Sequence, residues 1–306
     1  MDRAEDLLHV VEGPVVESAD PFDPETRTAE LPYPGRPVVD EHDPLVPPPG
    51  SGLAGWLSRV GGVLRRCAVG LLPTGLIAAV PMHFFVGRVD DTVVAAPALS
   101  DLAGGFGLLL LPLMWLAYFT VSALPLVIGL AGVVAVGLTQ AAGGRVPSPR
   151  VVWRLVAYRL RPLWLWFAAF GVVTQGLPLL LTAERLGPAV AAPLALGLGI
   201  LSTGVLTFTG MLGCVVLVER ERGQRRAAYL CSLAPPGGLV VAALGLTVLP
   251  RLADAAWGAL ASTVVAVVMV LVWAVSALVT YARARRAEGT VTSVSLLGEL
   301  AAPELD

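Results

Sequence analysis

The sequence contains no lysine, so all 21 of its cationic side chains are arginines. Only 14% of the 306 residues are charged, against about a quarter in soluble globular domains. The N-terminus is acidic and is followed by no apolar stretch before about residue 67, unlike a secretory signal peptide. The three cysteines show neither paired nor metal-binding spacing (Cys67, Cys214 and Cys231). These absences exclude an ordinary soluble domain and a small secreted domain held together by disulfides.

Catalytic and cofactor motifs are also absent from the sequence. It contains no H-E-x-x-H zinc motif, no Walker A loop, no dinucleotide fingerprint and no G-x-S-x-G nucleophile elbow. Only three histidines occur, and His83 is the one that falls in an apolar run. His83 could form an outward-facing metal or proton site with Asp90, Asp91 and Asp101, but no helical spacing joins these residues. We therefore expect no cofactor and no bound metal, and an enzymatic activity is kept only as an alternative.

Six apolar runs are long enough to cross a bilayer, which requires about 20 residues as a helix. They lie at about 68–87, 105–138, 163–182, 189–218, 233–252 and 256–281. Their cores contain no Asp, Glu or Arg. A charge at the centre of a spanning helix costs about 2.5–3.5 kcal/mol, so this absence is what spanning helices require. The sequence thus predicts an all-α protein with a bundle of six transmembrane helices over residues 67–282.

The arginines predict the orientation of this bundle. Alternate loops hold fifteen arginines against three in the others. The positive-inside rule then places the rich loops and both termini in the cytoplasm, in the inner membrane of a bacterium. Splitting the 105–138 run at Pro125 would break this alternation, so we predict one long, tilted or kinked helix there. The fifth run is short and must recruit residues near Leu233 or beyond Pro250; a re-entrant segment is the alternative.

The segments outside the spans have a different composition. Residues 1–50 hold twelve acidic residues, three arginines and ten prolines, which predicts a disordered cytoplasmic tail. A short patch in this tail is a candidate docking site for a cytosolic partner, formed by Glu5, Asp6, Leu7, Leu8, Val10 and Val11. The alternative is a merely solvating tail. Residues 283–306 repeat the acidic-apolar character and are predicted to form a C-terminal cytoplasmic tail.

Two segments combine arginines with apolar residues at helical spacing. Residues 51–66 predict an amphipathic helix on the cytoplasmic leaflet, with the start of the first span as the alternative. The segment from Arg150 to Trp164 carries Trp153 and Tyr158 as aromatic anchors. Candidate contacts to lipid headgroups or to a partner are Arg150, Arg154, Arg159, Arg161, Arg220, Arg222, Arg225 and Arg226. These arginines could equally be plain topology determinants.

The fourth run carries small residues four apart, the spacing that brings them onto one helix face. They are Ala191, Ala195, Gly199, Thr203 and Thr207. Such a stripe permits close approach of another helix backbone. In a chain this rich in alanine and glycine, we expect it to serve packing within the bundle.

Two stretches resemble a known group of bacterial membrane proteins. Residues 144–164 (GRVPSPRVVWRLVAYRLRPLW) resemble the basic loop that enters the third helix of the membrane domain attached to some glycerophosphoryl diester phosphodiesterases. Residues 217–229 (LVERERGQRRAAY) are similar to the inner loop after the group's fourth helix. The resemblance covers about 105–281 and implies a six-helix bundle. The phosphodiesterase catalytic domain is missing, so that activity does not carry over.

These patterns favour an integral membrane scaffold or anchor that engages cytosolic partners through its acidic tail and its arginine-rich inner loops. A permease-like subunit of a multi-component ABC-type exporter is the first alternative, motivated by the six spans, the cytoplasmic termini and the amphipathic entry helix. An intramembrane enzyme is the second. The absence of Asp, Glu and Arg from the cores of the spans argues against a secondary active transporter. The expected partners are the lipid bilayer and a cytosolic or membrane protein, with no nucleic acid.

Overall fold

The structure is a computed structural model that describes residues 43–48, 50–81, 107–143, 146–171, 188–219, 223–289 and 291–301. Within these ranges the chain forms eight α-helices and no β-strand. The helices are α1 (Gly52–Pro81), α2 (Gly107–Ala141), α3 (Pro149–Gly171), α4 (Pro188–Val218), α5 (Gln224–Leu233), α6 (Gly237–Trp257), α7 (Ala259–Glu288) and α8 (Ser293–Ala301). The expectation of an all-helical chain is confirmed for these residues.

Five of these helices contain a segment long and apolar enough to cross a bilayer: α1, α2, α4, α6 and α7. They indicate a multi-pass membrane protein in contact with lipid. The third predicted span, 163–182, is described only as far as Gly171, where α3 ends. A sixth crossing therefore stays a prediction.

The two uncertain spans have definite helical bounds. Residues 107–141 form one helix that runs unbroken past Pro125, as the alternation of arginines predicted. The short fifth run is extended at its C-terminal end, because α6 continues through Pro250 to Trp257. Its 21 residues cover about 30 Å, the thickness of a hydrocarbon core. Immediately afterwards Gly258, with φ 83°, turns the chain into α7.

Three inner helices, α2, α4 and α7, form the core of the bundle. Residues 211–218 of α4 and residues 273–282 of α7 are buried throughout. Glycines allow this close packing: a Cβ on Gly213 would lie 2.3 Å from Leu130 Cδ2, and one on Gly210 would lie 3.1 Å from Ala277 Cβ. The outer helices α1, α3 and α6 pack around this core and expose apolar side chains.

Contacts between the helices fix their relative directions. Trp273 Nε1 donates a hydrogen bond to the Leu206 carbonyl, and farther along both helices Tyr281 lies beside Glu219, so α4 and α7 are parallel. The pairs α1 and α2, and α6 and α7, pack as antiparallel neighbours. The seven residues 142–148 join the end of α2 to the start of α3. The starts of α1, α3 and α6 and the ends of α2, α4 and α7 therefore lie together. We call this the arginine end, since the described arginines of the arginine-rich loops lie in or next to it.

The described residues are packed or helical beyond both bounds that the sequence predicted for the membrane domain and its entry helix. Residues 43–48, assigned to the acidic tail, are packed, and Leu45 and Val46 have no exposed surface. At the C-terminus, α7 continues to Glu288 and α8 packs against α2 and α4. Leu296 and Leu300 of α8 are fully buried, because their spacing of four residues puts them on one helix face. Residues 1–42 lie outside the described residues.

The predicted interfacial segment 51–66 is the first half of α1 and is continuous with the first span. Trp56, Val60 and Val63 are buried against the bundle, and the Trp56 indole donates a hydrogen bond of 3.0 Å to Thr280 Oγ1 of α7. This arrangement matches the alternative, in which the segment starts the first span. Placement of residues 51–66 on a leaflet surface stays a prediction.

Candidate functional site at the arginine end

Charged side chains from four helices meet at the arginine end. The ion-pair cluster, as we call it, consists of Glu219, Arg226, Arg285, Glu288 and Glu299. Glu219 directly follows α4, Arg226 lies on α5, Arg285 and Glu288 lie in the last turn of α7, and Glu299 lies on α8. The cluster thus joins two inner helices to the two short helices that the sequence did not predict.

Glu219 is the most buried member of the cluster, with 7% of its side chain exposed. One carboxylate oxygen accepts a hydrogen bond from Arg226 Nε at 2.6 Å, and the other accepts one from the Tyr281 hydroxyl at 2.9 Å. Arg285 Nη1 lies 3.4 Å from the same carboxylate. A desolvated carboxylate needs such partners, because its hydration is lost on folding. Glu219 therefore holds the ends of α4 and α7 together.

Arg226 forms a bidentate ion pair with Glu288. Its Nη1 and Nη2 atoms each lie 2.5 Å from a different oxygen of that carboxylate. The hydrogen bonds that Arg226 donates to Glu288, and then the one that it donates to Glu219, raise the pKa of Arg226 above its already high ordinary value. Arg285 completes the cluster by donating to Glu299 at 2.7 Å, which ties α8 to α7.

A second polar contact fixes the segment just after the acidic N-terminal region. Asp43 is 4% exposed, and its Oδ1 accepts hydrogen bonds from the backbone N–H groups of Leu45, at 2.8 Å, and Val46, at 2.9 Å. Its Oδ2 accepts hydrogen bonds from Ser293 N at 2.7 Å and Ser293 Oγ at 3.1 Å. We call this arrangement the Asp43 anchor. It joins Asp43, which directly follows residues 1–42, to Ser293, the first residue of α8.

Two arginines hold the same segment through its backbone carbonyl groups. Arg66 Nη2, from α1, donates to the Pro44 carbonyl at 3.0 Å. Arg286 Nη1, from α7, donates to the Pro47 carbonyl at 3.2 Å. Proline rings also restrict the backbone of this segment, which lowers the entropy lost on ordering it. Residues 43–48 are thus attached to α1, α7 and α8.

The eight arginines predicted as lipid or partner contacts fall into three groups. Arg150, Arg154, Arg161 and Arg225 are exposed. Arg159 and Arg226 are engaged inside the fold: Arg159 is 3% exposed and donates to the Leu300 carbonyl at 2.9 Å. Arg220 and Arg222 lie outside the described residues, as does the predicted docking patch (Glu5, Asp6, Leu7, Leu8, Val10 and Val11).

The sequence interpretation missed most of the acidic and hydroxyl partners at this end, namely Asp43, Glu219, Glu288, Ser293 and Glu299. One local signal could have revealed α8. Thr292 Oγ1 accepts a hydrogen bond from the Ser295 N–H at 3.2 Å, and Ser295 Oγ accepts one from the Thr292 N–H at 3.1 Å. This reciprocal pair resembles a capping box and marks the start of a helix.

The described residues contain three free thiols and no group of side chains suited to a metal ion. No group of three or more His, Cys, Asp or Glu side chains among them could hold a metal ion. Cys67 and Cys214 are buried, Cys231 is half-buried, and all three are free thiols. Burial raises the pKa of the Cys231 thiol on α5, so the thiol stays protonated and slow to react at neutral pH. The predicted group of His83, Asp90, Asp91 and Asp101 lies outside the described residues.

Comparison of the chain with protein-family models, curated proteins and solved structures finds no match. The resemblance to the membrane domain of glycerophosphoryl diester phosphodiesterases stays a prediction.

Proposed function

We propose that this chain is an integral membrane scaffold that faces the cytoplasm with its arginine end and engages a cytosolic protein there. The observation that carries the proposal is the Asp43 anchor. Because Asp43 is tied to Ser293, the residue that follows the acidic segment 1–42 in the sequence lies at the arginine end. We infer that a partner engages that segment together with the exposed arginines of this end.

The charges on the two sides of the anchor support this reading. Residues 1–42 contain eleven acidic residues and three arginines. Arg65, Arg154 and Arg225 are exposed on three different helices of the arginine end. Complementary charge steers association and discriminates between partners more than it adds affinity. A partner with both basic and acidic patches would match this surface.

A scaffold also needs a rigid binding surface that is anchored in the membrane, and the helix bundle supports this. The ion-pair cluster and the Asp43 anchor tie α5, α8 and residues 43–48 to the inner helices. The spanning segments of α2, α4 and α7 carry no charged side chain before the arginine end. They are therefore suited to hold the chain in lipid while the polar end is presented in one geometry.

Affinity purification in a mild detergent tests the scaffold proposal. The full chain should retain a cytosolic protein that a variant lacking residues 2–42 loses, while Asp254→Ala, an exposed change on α6, should retain it. An unchanged set of copurifying proteins after removal of residues 2–42 would contradict the proposal. Copurification of a nucleotide-binding ATPase whose retention does not depend on residues 2–42 would favour the exporter alternative instead.

Chemical labelling of Cys231 tests the orientation separately. With Cys67 and Cys214 replaced by alanine, Cys231 is the only thiol and lies on α5 at the arginine end. A membrane-impermeant maleimide should label it in inside-out vesicles and not in intact cells. Because the pKa of Cys231 is raised, the labelling rate should keep increasing with pH beyond the range of an ordinary thiol. Labelling in intact cells would overturn the cytoplasmic assignment of the arginine end.

A further inference from the structure

The outward face of α3 carries a basic and aromatic stripe. Arg150, Arg154, Tyr158 and Arg161 follow one another at intervals of three or four residues, and all are exposed. Trp153 beside them is 57% exposed. This surface, the α3 face, consists of these five side chains. Residues at such spacing lie on one side of a helix and can contact one ligand together.

The buried guanidinium of Arg159 packs against Tyr158 of the α3 face. The Arg159 guanidinium lies 4.8 Å from the centre of the Tyr158 ring. Arg159 is itself fixed by its hydrogen bond to the Leu300 carbonyl of α8. Since a cation at this distance attracts the face of an aromatic ring, Tyr158 is held in place on the surface. Its phenol group is then a positioned hydrogen-bond donor between two exposed arginines.

The part of the α3 face from Arg161 to Tyr158 lies at the height of the headgroup layer of a membrane. With a rise of 1.5 Å per residue from Leu163, where the apolar run begins, Arg161 lies about 3 Å outside the hydrocarbon, Tyr158 about 7.5 Å and Arg154 about 13.5 Å. The interfacial layer extends about 5–7 Å beyond the hydrocarbon. Long helical side chains slope toward the N-terminus, which directs Arg161 toward the level of Tyr158.

We propose that the α3 face binds the phosphate-bearing headgroup of an anionic membrane lipid through Arg161 and the Tyr158 hydroxyl, with Arg154 adding its positive charge from farther outside the bilayer. Guanidinium groups are well suited to phosphate oxygens, and Tyr and Trp favour the membrane interface. A lipid fits better than a cytosolic protein, because the stripe continues without interruption to Leu165, which is 56% exposed on the apolar side of Arg161.

Lipid titration of the full chain in detergent, with bound lipid counted by native mass spectrometry, tests this site. Phosphatidylglycerol should bind more tightly than phosphatidylcholine. Two arginines near a membrane surface contribute about 1 kcal/mol each, so R154Q/R161Q should weaken phosphatidylglycerol binding about 30-fold. The matched control R65Q/R225Q removes the same charge from exposed positions of α1 and α5 and should change binding less than about threefold. R154K/R161K, which keeps the charge, should retain most of the affinity.

Three results would overturn the proposal. Equal losses in R154Q/R161Q and R65Q/R225Q would show a general electrostatic attraction and no localised site. Unchanged phosphatidylglycerol binding in R154Q/R161Q would place the lipid elsewhere. Binding that becomes detectable only after removal of residues 2–42 would assign the α3 face to the chain's own acidic segment.

Discussion

Replacement of Asp43 by alanine should release residues 43–48 from the bundle without unfolding the bundle itself. The carboxylate joins this segment to α8, where it accepts hydrogen bonds from two donor groups of Ser293. It also closes the local turn through the amides of Leu45 and Val46. Alanine removes all four acceptor contacts at a site that is 4% exposed.

The expected size of the effect follows from the charge on Asp43. A hydrogen bond to an ionised group contributes about 1.5–3 kcal/mol, so the loss of the two from Ser293 amounts to about 3–6 kcal/mol. The contacts of Arg66 and Arg286 with backbone carbonyls remain, but each is a single hydrogen bond, and neither joins the segment to α8. A change of 3 kcal/mol increases the open population of the segment by about 100-fold. Asp43→Asn keeps one acceptor oxygen and should give an intermediate effect.

Hydrogen exchange of the detergent-solubilised protein measures this opening. The amides of Leu45, Val46 and Ser293 should exchange at least about 100-fold faster in Asp43→Ala, while those of residues 273–282 in α7 should keep their protection. Asp254→Ala, the same change at an exposed site of α6, is the matched control and should leave all these rates unaltered. Exchange at Leu45 and Val46 within threefold of the unmodified protein would refute the anchoring role of Asp43.

Two further predictions concern helix packing and the ion-pair cluster. Gly129→Ala should lower the melting temperature in detergent, because the new Cβ would lie 2.4 Å from Ala78 Cβ and overpacking costs about 1–3 kcal/mol. Gly204→Ala should raise the melting temperature, because no atom lies within 4 Å of the new Cβ and alanine stabilises a helix by about 1 kcal/mol relative to glycine. Glu219→Gln should destabilise the protein by about 3 kcal/mol, since it breaks a nearly buried pair. Glu299→Gln, 36% exposed, should cost only about 0.2–1 kcal/mol, and equal melting temperatures for these two variants would contradict the role given to burial.

The parts of the fold that the sequence predicted are those that depend on local patterns. An apolar run reveals a spanning helix by its own length, and the count of arginines was enough to show that α2 is continuous. The parts that it missed depend on distant partners. Asp43 and Ser293 are 250 residues apart, and Glu219 and Tyr281 are 62 apart. No periodicity in one segment reports such a pairing.

The small residues of α4 show the same limit within a single helix. The predicted stripe includes Gly199, but nothing lies within 4 Å of a Cβ placed there. Thr203 and Thr207 are buried, yet their hydroxyl groups donate to carbonyls of their own helix. Close packing occurs instead at Gly210 and Gly213. Spacing identifies a face that another helix can approach, but the position of the crossing is set by the neighbouring helices.

The acidic residues at the arginine end would allow one set of arginines to serve both the orientation that the sequence predicts and the packing of the helices. Arginines concentrated on one side of a membrane repel one another, and partial burial strengthens that repulsion. Acidic residues have little influence on orientation, so carboxylates can be placed among the arginines without reversing the topology. Glu219 and Glu288 do this for Arg226, and Glu299 does it for Arg285. Neutralising these carboxylates should therefore loosen α5 and α8 while the chain keeps its orientation, whereas removing the exposed arginines should weaken the orientation and leave the packing intact.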